Sequence, residues 1–273
     1  MTIDTHHHFW HYDPVEFGWI PDEFGVIRRD WLAEDLRAAA RSAGIDRVVS
    51  VQARQSVEET RFLLGVADAN PDLVAGVVGW LPIAASDFAH QLESTRHAKL
   101  VGLRHVVQGE PDGFLARDDF NRGVATLIDA GLTYDVLILA PQLSQAAAFV
   151  DRHPRGRFVV DHLAKPFNDR GEIEPWRGDL REIARRENVW CKLSGGITER
   201  DLAWTPAKLR PYLDAVLELF GPRRLMFGSN WPLTEAAGGI AAWAECVREW
   251  AKPLSADEQD ALFARNAIEF YRL

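Results

Sequence analysis

The chain alternates between two patterns. Short apolar runs rich in valine, isoleucine and leucine are followed by longer stretches in which apolar positions recur every three or four residues. Eight such units fit along the sequence, with candidate strands at 2–8, 47–53, 74–80, 100–107, 132–139, 157–162, 188–194 and 224–229. The helical pattern is clearest at 57–69, at 117–130 before Gly131, and at 206–220, which opens on Pro206 and stops at Gly221. The strand runs are nearly continuous hydrophobics, as expected when both faces of a parallel sheet are covered. Eight strand–helix repeats over residues 1–273 predict an α/β fold, a distorted (β/α)8 TIM barrel in a single domain. An open doubly wound sheet is the alternative, but no GxGxxG turn follows the first strand. The longest irregular segment, 9–31, is then a βα loop over the barrel mouth.

Composition narrows the partners. The 273 residues carry a formal charge of −9 and no long basic run, so nucleic acid is not expected. No apolar stretch approaches the ~18 residues of a membrane span, and no signal-peptide pattern opens the chain. Two cysteines do not make a disulfide framework, which leads to the expectation of a cytoplasmic protein. A homo-oligomer is left open.

Barrel chemistry gathers at the C-terminal ends of the strands, and polar residues interrupt the apolar runs there. The first candidate strand, within IDTHHHFW, carries His6, His7 and His8. Residues i and i+2 share a face, so His6 and His8 point together into the mouth and His7 points away. With His162 from the sixth strand they offer three imidazoles to a divalent metal. Asp161, next to His162, is expected to face the helices or cap a turn. Lys165 is placed to hold an anionic or hydroxylated substrate. Arg54 and Arg104 suit a carboxylate or a carbonyl oxygen that gains charge. Trp10, Tyr12 and Trp19 on the 9–31 loop, with His11, His105 and Tyr134, are further candidates for substrate contact. Lys192, inside VWCKLSGG, reads equally well as a satisfied interior lysine or a site residue.

Four motifs then fall in order, one per expected strand: HxH followed by FW, DHLAKP, VWCKLSG and RLMFGSNWP, with NAIEFY near the end. Together they resemble the amidohydrolase superfamily, and within it the amidohydrolase-2 branch of L-fuconolactonase and L-rhamnonolactonase-like sugar-lactone hydrolases, which also holds pyrone-dicarboxylate lactonases. The resemblance implies a distorted barrel, hydrolysis of a small-molecule sugar lactone, and one divalent metal, zinc, on His6, His8 and His162, although some members of the branch work without a tightly bound ion. It places the basic residues that hold substrate at Arg54, Arg104 and Lys165. It also implies an aspartate in the last motif as general base, where this chain has Asn230. An amide takes up no proton near neutral pH. That leaves a replacement made to trap substrate, another base (His162, His8 or Glu110), or a barrel that binds without turnover. A metal-dependent decarboxylase of the same superfamily is the second enzymatic reading.

Overall fold

The computed structural model describes residues 1–166, 171–195 and 202–273. Its centre is one parallel sheet of eight strands in chain order. These are β1 Ile3–His7, β2 Arg47–Val51, β3 Val74–Gly79, β4 Leu100–Val106, β5 Thr133–Leu137, β6 Phe158–Val160, β7 Val189–Leu193 and β8 Leu225–Phe227. Each candidate run contains one of them. The sheet closes where the segment after β8 meets β1: Asn230 N donates to His6 O and His8 N to Trp231 O, both at 2.7 Å. Asp4 reinforces this seam by accepting from the backbone N–H of Ser229 at 2.7 Å.

The helices between strands are α1 Ala33–Ser42, α2 Val57–Ala69, α3 Phe88–Ser94, α4 Asp118–Asp129, α5 Leu143–Asp151, α6 Trp176–Ala184, α7 Pro206–Phe220 and α8 Ile240–Ala251. Local chemistry sets their ends. Ser56 caps α2 by accepting from Glu59 N, and Thr205 caps α7 by accepting from Lys208 N. Gly221 ends α7 at φ 67°, where a side chain would be strained. The tail, α9 Ala256–Asp260 and α10 Asn266–Tyr271, turns back under the barrel. Ala264, Ala267, Phe270 and Tyr271 pack with Ile3, Val49, Val51, Val78, Val159 and Met226 as a second apolar cluster, separate from the main core. The barrel is therefore apolar at its floor and polar toward its mouth. No helix among the described residues is long and apolar enough to cross a membrane.

Glu59, on the first turn of α2, is buried and accepts the backbone N–H groups of Ala53 and Arg54 at 3.1 and 2.8 Å. Burial pushes its carboxyl up to about 7, against those hydrogen bonds. A raised folded pKa means that the native state holds a proton which the unfolded chain releases near 4.5. Stability from this group is therefore full below that value and is lost as pH rises toward about 7. Glu59→Gln should flatten this part of the profile and raise stability at pH 8 by about 1–2 kcal/mol, read from urea unfolding at pH 5 and pH 8. An equal effect at both pH values would show that the carboxyl does not titrate in this window.

Candidate active site

Three histidines meet at the mouth. The rings of His6 and His8 lie 5.0 Å apart and those of His6 and His162 lie 4.3 Å apart. His7 turns the other way, bonding Ser50 Oγ at 2.9 Å and packing on Phe9. This is the alternation that the HxH spacing implies.

Beyond β6 the backbone departs from a strand. Asp161 opens a tight turn, and His162, Leu163, Ala164 and Lys165 all take positive φ, between 51° and 56°. For L-residues each such conformation costs about 1–2 kcal/mol. The surroundings hold the turn: Trp176 Nε1 donates to Leu163 O at 2.7 Å, and His162 Nδ1 bonds Ser194 Oγ at 2.8 Å. Gly195 makes room, since a Cβ there would stand 2.5 Å from His162 Nδ1. The turn breaks strand alternation. Asp161 and His162, adjacent in sequence, both face the interior, and Asp161 does not face the helices as strand parity would have it.

Asp161 is fully buried beside two cations and an imidazole. Arg104 Nη1 donates to Oδ2 at 3.0 Å, Lys192 Nζ lies 3.0 Å from Oδ1, and His6 Nδ1 lies 3.4 Å from Oδ1. Burial works to raise the carboxyl, but Lys192, His6 and Arg104 outweigh it and hold it well below the usual carboxylate range. Arg104 also bonds the carbonyl of Gln52 and stands 3.2 Å from His6 Nε2. Lys192 bonds Asp135, so two carboxylates balance two cations. Burial keeps His6 and His162 neutral, well below the usual imidazole value, and takes His8 down to about 3.

Ligand atoms of His6, Asp161 and His162 lie within 4.8 Å of one another. Two neutral imidazoles and an ionised carboxylate are a donor set that a divalent ion accepts, so the residues fit one. Asp161 joins two of the three expected imidazoles in this group, and the His8 ring stands 5.0 Å from that of His6. His8 Nδ1 donates to the carbonyl of Val51 at 2.8 Å, which leaves the Nε2 lone pair 3.3 Å from Asn230 Oδ1.

Above these groups opens a cavity of about 610 Å³. His8, Arg104, His162 and Asn230 form its base, and Arg54, Gln55, Gln108 and Lys165 supply polar walls. From the 9–31 segment Glu16, Trp19, Pro21 and Phe24 line it. Arg54 pairs with Glu16, tying that segment to the end of β2. Lys165 Nζ donates to Gln108 Oε1 at 2.5 Å.

Other candidates lie elsewhere. Tyr134 is packed outside the barrel wall against Phe120, Phe149 and Phe158, because its neighbour Asp135 takes the inward position. His105 likewise points away from Arg104. It stacks on Phe114 at 4.8 Å and bonds Glu110 at 2.7 Å, and neither His105 nor Glu110 lines the cavity. Trp10 is buried behind the cavity, with Nε1 donating to Arg29 O, and His11 pairs with Asp30 at the surface. Asp135 and Lys192 are the residues that the strand-end reading undervalued. An ionisable side chain inside an apolar run was their signal.

Fold and site define a (β/α)8-barrel protein whose histidine–carboxylate centre lies at the C-terminal mouth, the arrangement of barrel hydrolases. The chain belongs to the amidohydrolase family, whose model matches residues 3–273. It is 38% identical to an L-fucono-1,5-lactonase of Burkholderia multivorans, over 100% of this chain and 96% of that one. An L-fucono-1,5-lactonase of Burkholderia ambifaria is 35% identical, with the same coverage of both chains. A crystal structure of a Burkholderia multivorans amidohydrolase with bound zinc superposes with a TM-score of 0.95 at 38% identity, covering 100% of this chain and 99% of that one.

Proposed function

We propose that this protein is a lactonase that opens a sugar-derived aldonolactone of the L-fuconolactone type by attack of water on the ring carbonyl. The observation that carries this reading is the cavity itself. A neutral imidazole, His8, faces a polar chamber walled by cations, over a buried carboxylate. The L-fucono-1,5-lactonases at 35–38% identity support the substrate class and favour ring opening over decarboxylation.

The chemistry follows from the groups present. Val51 O fixes the proton of His8 on Nδ1, so Nε2 is the acceptor for a proton from water. Asn230 Oδ1 stands 3.3 Å from Nε2, and two acceptors side by side suit a water that donates to both. Arg104 and Lys165 face the carbonyl oxygen as it gains charge and the carboxylate formed when the ring opens. The proton on His8 then passes to the ring oxygen that leaves. Trp19, Pro21 and Phe24 cover the chamber and reduce access of bulk water. A divalent ion, zinc by its donor set, would be held by His6, Asp161 and His162 and would polarise the carbonyl when bound.

The test is a panel of aldonolactones assayed by acid release, with and without added Zn²⁺ or Mn²⁺. Hydrolysis of a six-membered 6-deoxy lactone supports the reading, and acid release from none of them refutes it. In the same assay Asn230→Asp should leave kcat within about threefold, because His8 already supplies the acceptor. A rise of tenfold or more would move the base to position 230.

A further inference from the structure

Beneath the catalytic groups a second set of ionisable side chains runs down to the barrel floor. Lys192, the fourth of the five residues of β7, is fully buried and bonds Asp135 of β5. Its Nζ also lies 3.0 Å from Asp161 Oδ1 and 3.4 Å from His6 Nδ1. Asp135 in turn accepts from the Tyr271 hydroxyl, which reaches both carboxylate oxygens at 3.1 and 3.0 Å. Tyr271 is the last residue of α10, three positions from the end of the chain counting itself, and is 3% exposed. None of Tyr271, Asp135 and Lys192 lines the cavity. A fully buried lysine and aspartate are costly unless each finds partners, and apolar packing would have filled the space more simply. Here the neighbouring floor of the barrel is apolar, and the polar groups form one column, Tyr271–Asp135–Lys192, that forks at its top to Asp161 and His6.

We propose that Tyr271, Asp135 and Lys192 are positioning residues: the C-terminal helix, through this column, holds the Asp161 carboxylate and the His6 ring in register with the cavity. The proposal rests on the lactonase reading for its kinetic test and not for its structural one. Tyr271 fixes Asp135 from below, and Asp135 aims the Lys192 ammonium. That ammonium presses on Asp161 Oδ1 from the side opposite Arg104. Lys192 thus has one orientation available, and Asp161 keeps one oxygen toward Arg104. The hydroxyl of a residue at the very end of the chain becomes part of the machinery without touching substrate.

The experiment is a double-mutant cycle of Tyr271→Phe and Asp135→Asn. Tyr271→Phe removes one oxygen far from the cavity, and it should lower kcat about 5–20-fold with KM within twofold and little change in melting temperature. The same change made on Asp135→Asn should add no further loss, because the tyrosine acts through that carboxylate. An unchanged kcat in Tyr271→Phe, a loss confined to KM, or fully additive losses would overturn the proposal. If Asp135→Asn does not fold, the single Tyr271→Phe variant decides on the kcat and KM criteria alone. If the wild-type protein opens no lactone, the lactonase reading falls, and the column is tested separately by ¹⁵N spectra of histidine-labelled protein. Tyr271→Phe should then shift the imidazole signals of His6 and leave those of exposed His90 in place. Unmoved His6 signals would overturn it.

Discussion

Asp161→Asn should abolish most of the activity and much of the stability together. The carboxylate is the one anion that Arg104, Lys192 and His6 share. An amide leaves the Arg104 guanidinium, 3% exposed, without its ion-paired carboxylate and the Lys192 ammonium with Asp135 alone. Breaking one member of a buried ion cluster typically costs about 3–5 kcal/mol, because the remaining charge stays desolvated. Hydrolysis should fall on the order of 10²–10³-fold as Arg104 loses its fixed direction toward the carbonyl oxygen. The two effects separate in a second variant. Adding Arg104→Met to Asp161→Asn removes the stranded guanidinium and should restore part of the stability, with no recovery of rate. Urea unfolding and lactone hydrolysis on both proteins check this. Near-normal stability in Asp161→Asn would mean that water, not the carboxylate, screens the two cations.

The fold could be read from the chain because its physics is one-dimensional there. A parallel strand covered on both faces must be apolar along its length, and α2 and α7 carry their caps in sequence, so 57–69 and 206–220 have the same bounds in pattern and structure. The site was legible only where spacing alone fixes direction. His6 and His8 share a face whatever the register. Elsewhere direction depends on which parity tertiary packing selects. In Arg104–His105 and Tyr134–Asp135 one residue of each pair turns inward, and a single sequence offers both choices. Arg104 and Asp135 are register partners across β4 and β5, so closing the barrel settles both pairs together. Asp161 was hidden for another reason. Four successive left-handed residues without a glycine have no local signature, and the turn exists because Trp176, Ser194 and Gly195 hold it. The lactonase motifs, by contrast, carried the family directly.

His8→Ala should cost kcat about 10²–10⁴-fold with KM nearly unchanged, since the imidazole moves a proton and other groups grip the substrate. Its pH behaviour makes the assignment specific. Burial first, then the Arg104 charge, takes His8 down to about 3, so the neutral form required of a base persists through pH 5–8 and is lost only as pH falls through that value. The wild-type rate should therefore show no acid limb near the ~6.5 of an ordinary histidine. The alanine variant leaves a hole at the base of the 610 Å³ cavity, and added imidazole can enter it. Rescue by imidazole should restore part of kcat. The rescued rate should acquire the acid limb that the wild type lacks, because the diffusible base is less desolvated than the side chain it replaces. A wild-type limb near 6.5, or a folded His8→Ala protein that keeps its rate, would transfer the proton acceptor to another residue. Among the described residues, the only neutral imidazole then left lining the cavity is His162, and its Nδ1 bond to Ser194 would make Ser194→Ala the next variant to fail.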